Sequence, residues 1–154
     1  MPLLLTFVIN CLIVGLAVVI HYETLYHLAR HLPRVKVRPR SKVLWGVLII
    51  LVAHVLEIWL FALGCYGLLH VDGMGALSGN VSPVPSLLDC AYFSFVSFTT
   101  VGYGDIVATG HIRYLMAMEA LTGFVLITWS ASFLFLEMQK YWPNLESHRN
   151  RHGS

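Results

Sequence analysis

Five consecutive residues, Thr100-Val101-Gly102-Tyr103-Gly104, are the part of this chain best suited to chemistry. They bring no base or strong nucleophile, but they bring oxygen. The carbonyls of Thr100, Val101, Gly102 and Tyr103, with the Thr100 hydroxyl, make a stack of neutral acceptors that can replace the water around a dehydrated cation. Successive carbonyls face one axis only if the backbone alternates in hand. Gly102 and Gly104 permit the positive φ this requires. Val101 and Tyr103 then point away from the axis and pack behind the loop, which holds its diameter. Thr99 precedes the five and Asp105 follows them.

The flanking sequence supplies the elements that must position this loop. Ser86, with Asp89 three residues on, reads as a capping box that starts a helix, and Pro83 and Pro85 keep the preceding chain extended. The pattern predicts a helix over 86–98, roughly 20 Å long at 1.5 Å per residue. That covers only part of a ~30 Å hydrocarbon core, so the segment must re-enter the membrane under the cover of other protein. Its negative C-terminal end would favour a cation beyond it. Three other blocks approach or exceed the roughly 20 apolar residues a span needs: 2–20, 43–69 and 112–136. His54 and Glu57 are the obvious interruptions of the second block.

Composition agrees with a membrane protein. The chain has 154 residues, 57% hydrophobic and 12% charged, where soluble domains carry about 25% charge. A net charge of +2 gives nucleic-acid binding no support. The cysteines, Cys11, Cys65 and Cys90, form no C-x-x-C pair and read as small apolar residues in helices. The first block lacks the basic n-region of a signal peptide. Six cations, Arg30, Arg34, Lys36, Arg38, Arg40 and Lys42, place the following loop in the cytoplasm. Loop 70–85 has no Lys or Arg, and the tail carries Lys140, Arg149 and Arg151. The expected topology is N-terminus outside, three spans, C-terminus cytoplasmic. Trp45, Tyr141 and Trp142 fit the cytoplasmic interface, and Pro143 should stop the last helix.

In this setting the heptapeptide Thr99-Thr100-Val101-Gly102-Tyr103-Gly104-Asp105 resembles the signature of the pore-loop potassium channel superfamily. The resemblance covers residues 44–136 and is similar to the two-transmembrane bacterial type, with one extra N-terminal span. It implies an all-α membrane protein of three transmembrane helices plus a re-entrant pore helix and filter loop. It implies a subunit that conducts K+ passively, with K+ held at Thr100, Val101, Gly102 and Tyr103. One loop is a quarter of a filter, so four identical chains must surround the axis. The expected divisions are an N-terminal transmembrane helix 1–22, a basic cytoplasmic linker 23–43, a pore domain 44–136 and a cytoplasmic tail 137–154. Within the pore domain lie an outer helix 44–69, a pore helix 86–98, a filter 99–104 and an inner helix 112–136. The membrane would be a plasma membrane or a bacterial inner membrane. No cofactor is expected beyond the permeating ion.

Other residues carry open readings. Asp105 either contributes to an acidic ring at the outer mouth or bonds inward, with Tyr92 as donor. Family members commonly tie this aspartate to an aromatic residue or a carboxyl. Here the position four before Thr100 is Val96, so that carboxyl is missing. Glu119 should sit behind the filter, bonded to the pore-helix backbone. Gly123 is either a gating hinge, as in the family, or a site of close helix packing. Ile127, Ala131 and Phe135 follow it at i+4 spacing as an inner face, with Phe135 a constriction. His54 and Glu57 share a face as a structural pair or a pH sensor. His70 and His111 lie near the outer surface, and Asn80-Val81-Ser82 matches a glycosylation site weakened by Pro83. Segment 24–32 could lie as a short helix on the membrane surface, ended by Pro33, with the linker cations either meeting anionic lipid or only setting orientation.

Rival functions have less behind them. A weakly selective cation channel would not need Tyr103 with both glycines. A silent subunit differs only in failing to conduct alone. A membrane metalloenzyme would need clustered histidines, and H-E-x-x-H is missing; His27 and His31 have no third ligand nearby in sequence. No span has arginine every third residue, so no voltage sensor of the usual kind is expected. A tail of about 18 residues leaves no room for a ligand-binding domain. Gating must then come from the filter, the bundle, lipid, pH, the extra span or a separate regulatory subunit.

Overall fold

The computed structural model describes residues 2–35 and 38–141. Lys36, Trp142, Pro143, Arg149 and Arg151, and with them most of the expected tail, lie outside the described residues. Three long apolar helices can each cross a membrane: α1 (Pro2–His31), α2 (Pro39–Leu69) and α4 (Ile112–Tyr141). A short helix, α3 (Leu87–Phe98), is tucked between α2 and α4.

The first helix departs from the sequence reading. In place of a span ending at residue 22 and a separate surface helix, α1 continues to His31, followed by a single 3-10 turn over Leu32–Arg34. His21, Tyr22, Glu23 and Thr24 lower the hydropathy but do not break a helix. The buried stripe also continues through them: Ala17, His21, Leu25, Leu28 and Leu32 recur every three or four residues. At 1.5 Å per residue, 30 residues make about 45 Å, so α1 outruns the hydrocarbon core. Its lower end packs Leu25, Leu28 and Leu32 on Ile50, Phe133 and Leu134. Similarly α2 begins earlier than expected, with Pro39 in the first turn, where its missing N–H costs nothing.

The main core joins all four helices. Phe61, Ala62, Cys65 and Leu68 of α2 meet Cys90, Ala91 and Phe98 of α3 and Leu115 and Leu126 of α4, with Ala17 from α1. The three cysteines are free, two of them buried. Outside the core, the all-α reading missed a two-stranded antiparallel ribbon: β1 (Leu77–Gly79) pairs with β2 (Ile106–Ala108), Leu77 opposite Ala108 and Gly79 opposite Ile106. Three-residue strands are too short to show a period in sequence. The ribbon is fixed by close backbone approach. A Cβ on Gly79, at φ 106°, would overlap the Asp105 carbonyl, and the Asn80 amide donates to that carbonyl at 2.8 Å. The loop between α2 and α3 thus grips Asp105.

Candidate functional site

The pore loop is built on the end of α3. Ser86 caps that helix: its hydroxyl accepts from the Asp89 amide, and the Ser86 amide donates back to the Asp89 carboxylate at 2.7 Å. These bonds from the Ser86 amide and hydroxyl hold the Asp89 carboxyl below the usual carboxylate range. At the other end Thr99 caps α3, its amide and hydroxyl both donating to the Phe95 carbonyl. The chain then turns back on the helix. The amides of Val101 and Gly102 both donate to the Val96 carbonyl, at 3.1 and 3.3 Å.

Those two bonds orient the oxygens. In a trans peptide the N–H and the C=O point in opposite directions, and the chain has no cis bond among its described residues. The carbonyls of Thr100 and Val101, which share planes with the bonded amides, therefore point away from α3. Backbone hand alternates along the loop: φ is positive at Thr100 (59°), Gly102 (55°) and Gly104 (79°). The two glycines were expected there; Thr100 was not, because nothing in a threonine side chain announces a left-handed residue. Within the single chain Val101 and Tyr103 are 54% and 72% exposed.

Supports behind the loop come from α3 and α4. The Tyr92 hydroxyl donates to Asp105 Oδ2 at 2.8 Å, and that carboxylate pushes the phenol above its ordinary range. Glu119 is fully buried, but its partner is not the pore-helix backbone: the Ser94 hydroxyl donates to it at 3.3 Å. Amides in the middle of α3 are used within the helix, so only a side chain can reach out. Glu119 Oε1 has no partner among the described residues. Gly123 lies in an unbroken stretch of α4. A Cβ there would overlap the Phe98 carbonyl oxygen and come within 2.8 Å of Phe98 Cγ, so the close approach of α3 demands glycine. Further along α4, Ile127, Ala131 and Phe135 are exposed in the single chain.

Two residues that sequence reasoning passed over complete a second polar group. His54 and Glu57 do meet, at 2.9 Å, but Glu57 is shared with His21 of α1 at the same distance, and Ser130 of α4 closes the other side. His21 was read only as the end of a span and Ser130 not at all; residues this far apart in sequence leave no spacing signal. Among the described residues, His21, His54 and Glu57 are the group able to hold a metal ion. His70 Nδ1 donates to the Tyr66 carbonyl at 2.8 Å, and the residue stays exposed.

A capped short helix between two spans thus ends in a loop of alternating hand whose Thr100 and Val101 carbonyls face away from that helix. The sequence pattern that defines the ion channel family matches residues 53–140. No curated protein and no solved structure matched the chain. The matched stretch covers more than half of the 154 residues and contains α3, the loop and α4, so the chain belongs to the ion channel family.

Proposed function

We propose that this chain is one of four identical subunits of a potassium-selective channel, with Thr100, Val101, Gly102, Tyr103 and Gly104 as its share of the filter. One observation carries the reading: positive φ at Thr100, Gly102 and Gly104, with the Val101 and Gly102 amides tied to Val96, in a Thr-Val-Gly-Tyr-Gly sequence. Alternating hand is what a column of inward carbonyls requires, and such a column replaces the hydration of a K+ ion. The α3 C-terminus adds a negative dipole end beneath it.

Four-fold assembly follows from incompleteness. One chain supplies one wall of a pore, and the Val101 and Tyr103 side chains are left largely uncovered. Neighbouring copies would cover them and fix the filter diameter. In that assembly Ile127, Ala131 and Phe135 would line the inner pathway, and Gly123 would serve as packing contact or hinge. Asp105, bonded to Tyr92, steadies the outer end of the filter. The cations Arg30, Arg34, Arg38 and Lys42 flank the α1–α2 junction and argue for N-outside, C-cytoplasmic orientation, with anionic lipid heads as their partners.

Flux into liposomes containing the purified chain tests the reading, with K+ and Na+ compared and Ba2+ as blocker. Ba2+-sensitive flux that strongly prefers K+ is expected. Equal K+ and Na+ flux would sink selectivity while leaving a channel.

A further inference from the structure

His21, His54, Glu57 and Ser130 form a closed ring across three helices. His21 Nδ1 lies 2.9 Å from Glu57 Oε1, and His54 Nδ1 lies 2.9 Å from Glu57 Oε2. On the far side, Ser130 Oγ lies 3.2 Å from Nε2 of both imidazoles. The two rings are stacked, 5.2 Å between centroids. Trp129 packs on His21 and Phe98 on His54, which walls the group with apolar surface. Glu57 and His21 side chains are 0% and 1% exposed and His54 is 13% exposed, so access to the group runs past His54.

Hydrogen counting shows a shortage. With both imidazoles neutral and the carboxylate ionised, each imidazole carries one hydrogen and Ser130 one more. Four close contacts therefore share three hydrogens, and one contact must set two lone pairs against each other. Buried lone-pair contacts of that kind are costly. A metal ion on the Nδ1 side removes the conflict. Both imidazoles then bind it through Nδ1 and carry their hydrogens on Nε2, and the one Ser130 oxygen accepts from both. Metal-bound histidines usually donate their second ring N–H to just such a partner.

We propose that His21 Nδ1, His54 Nδ1 and the Glu57 carboxylate bind a divalent first-row transition ion of the zinc class, with Ser130 orienting both imidazoles. Two imidazoles and one carboxylate suit such an ion, whereas Mg2+ and Ca2+ ask for oxygen throughout. The three donor atoms lie within 4.8 Å of one another, the scale of the roughly 3.4 Å edge of a tetrahedral zinc site. Glu57 cancels half of the ion's charge, which lowers the cost of holding it away from water. The ion would pin α1 to α2 and, through Ser130, to α4 two turns below Gly123. It would thereby make the first helix, all of which precedes the family match, a regulatory element of the pore.

The test needs no transport reading. The full chain, purified with a tag that contains no histidine, is stripped with chelator and titrated with Co2+, whose visible d–d bands report coordination. Bands that saturate at one ion per chain and are displaced by Zn2+ are expected. H21Q, H54Q and the near-isosteric E57Q should lose them, and H70Q should keep them. S130A should keep the bands with affinity about 10–100-fold weaker. Circular dichroism and gel filtration establish that each variant is folded, and Zn2+ should raise the melting temperature of the unaltered chain by itself. The proposal is overturned if folded, unaltered chain gives no bands, or if H21Q and H54Q retain them. It is equally overturned if 15N NMR finds an imidazolium at His21 or His54 that Zn2+ does not disturb, since the missing hydrogen would then be a bound proton.

Discussion

The pore loop and the His21–Glu57–His54 group are both polar constructions inside an apolar bundle, and they are built in opposite ways. The loop uses five consecutive residues, backbone oxygens and a bent chain. The group uses side chains alone, from positions 21, 54, 57 and 130 on straight helices. Tyr103 of the loop is 72% exposed, while Glu57 is fully buried. In the proposed assembly neighbouring copies would finish the one; the other is complete within a chain. A polar device made of backbone is therefore specified by which residues can take a given φ, and one made of side chains by which helices meet.

The largest effect expected from this contrast is at Gly102. No atom lies within 4 Å of an added Cβ there, so the only objection to Gly102→Ala in the single chain is its φ of 55°. Left-handed alanine costs roughly 1–2 kcal/mol, a cost that the proposed assembly would repeat in each copy. We expect Gly102→Ala to abolish K+ flux into liposomes while the folded chain still melts within a few degrees of the original. Undiminished selective flux would mean that hand alternation at this residue does not shape the pathway. By the same contrast, Glu57→Gln should leave ion preference unchanged.

A smaller effect separates two glycines in long helices. Gly123→Ala would drive a Cβ into the Phe98 carbonyl, a backbone atom at the end of α3 that cannot step aside. Overpacking of this kind costs about 1–3 kcal/mol. Gly15→Ala in α1 meets nothing within 4 Å, and alanine in a helix is favoured over glycine by about 0.5–1 kcal/mol. Thermal melts of the detergent-solubilised chain should move in opposite directions for the two. A harmless Gly123→Ala would leave the hinge as that residue's sole purpose.

What could be read in the sequence follows the same division. The capping box at Ser86 and Asp89, the two loop glycines and the Tyr92–Asp105 pair involve residues within about one turn or one short helix of each other, and their types constrain their partners. Spans were visible because they are long, yet their ends were not: hydropathy fell at His21 to Thr24 although the helix continued to His31. The β1–β2 ribbon was hidden by its brevity, and the Ser94–Glu119 and His21–Glu57 contacts by distance along the chain. Packing decided all of these, and packing depends on which helix faces which.

The smallest effect concerns the most legible device. Ser86→Ala removes the hydroxyl that accepts from the Asp89 amide and should cost about 1 kcal/mol at neutral pH. Asp89 returns a bond to the Ser86 amide, and its carboxyl titrates below its ordinary value of 3.8 because of that bond. A depressed carboxyl contributes its full stabilisation above the unfolded value and loses it as pH falls through the folded one. The difference in melting temperature between the unaltered chain and Asp89→Asn should thus be constant above pH 3.8 and close in stronger acid. Asp89 is only partly buried, so the difference will be small. A difference that persists unchanged in acid would mean that Asp89 steadies the cap without its charge, so that the carboxylate–amide bond is not the source of the stabilisation.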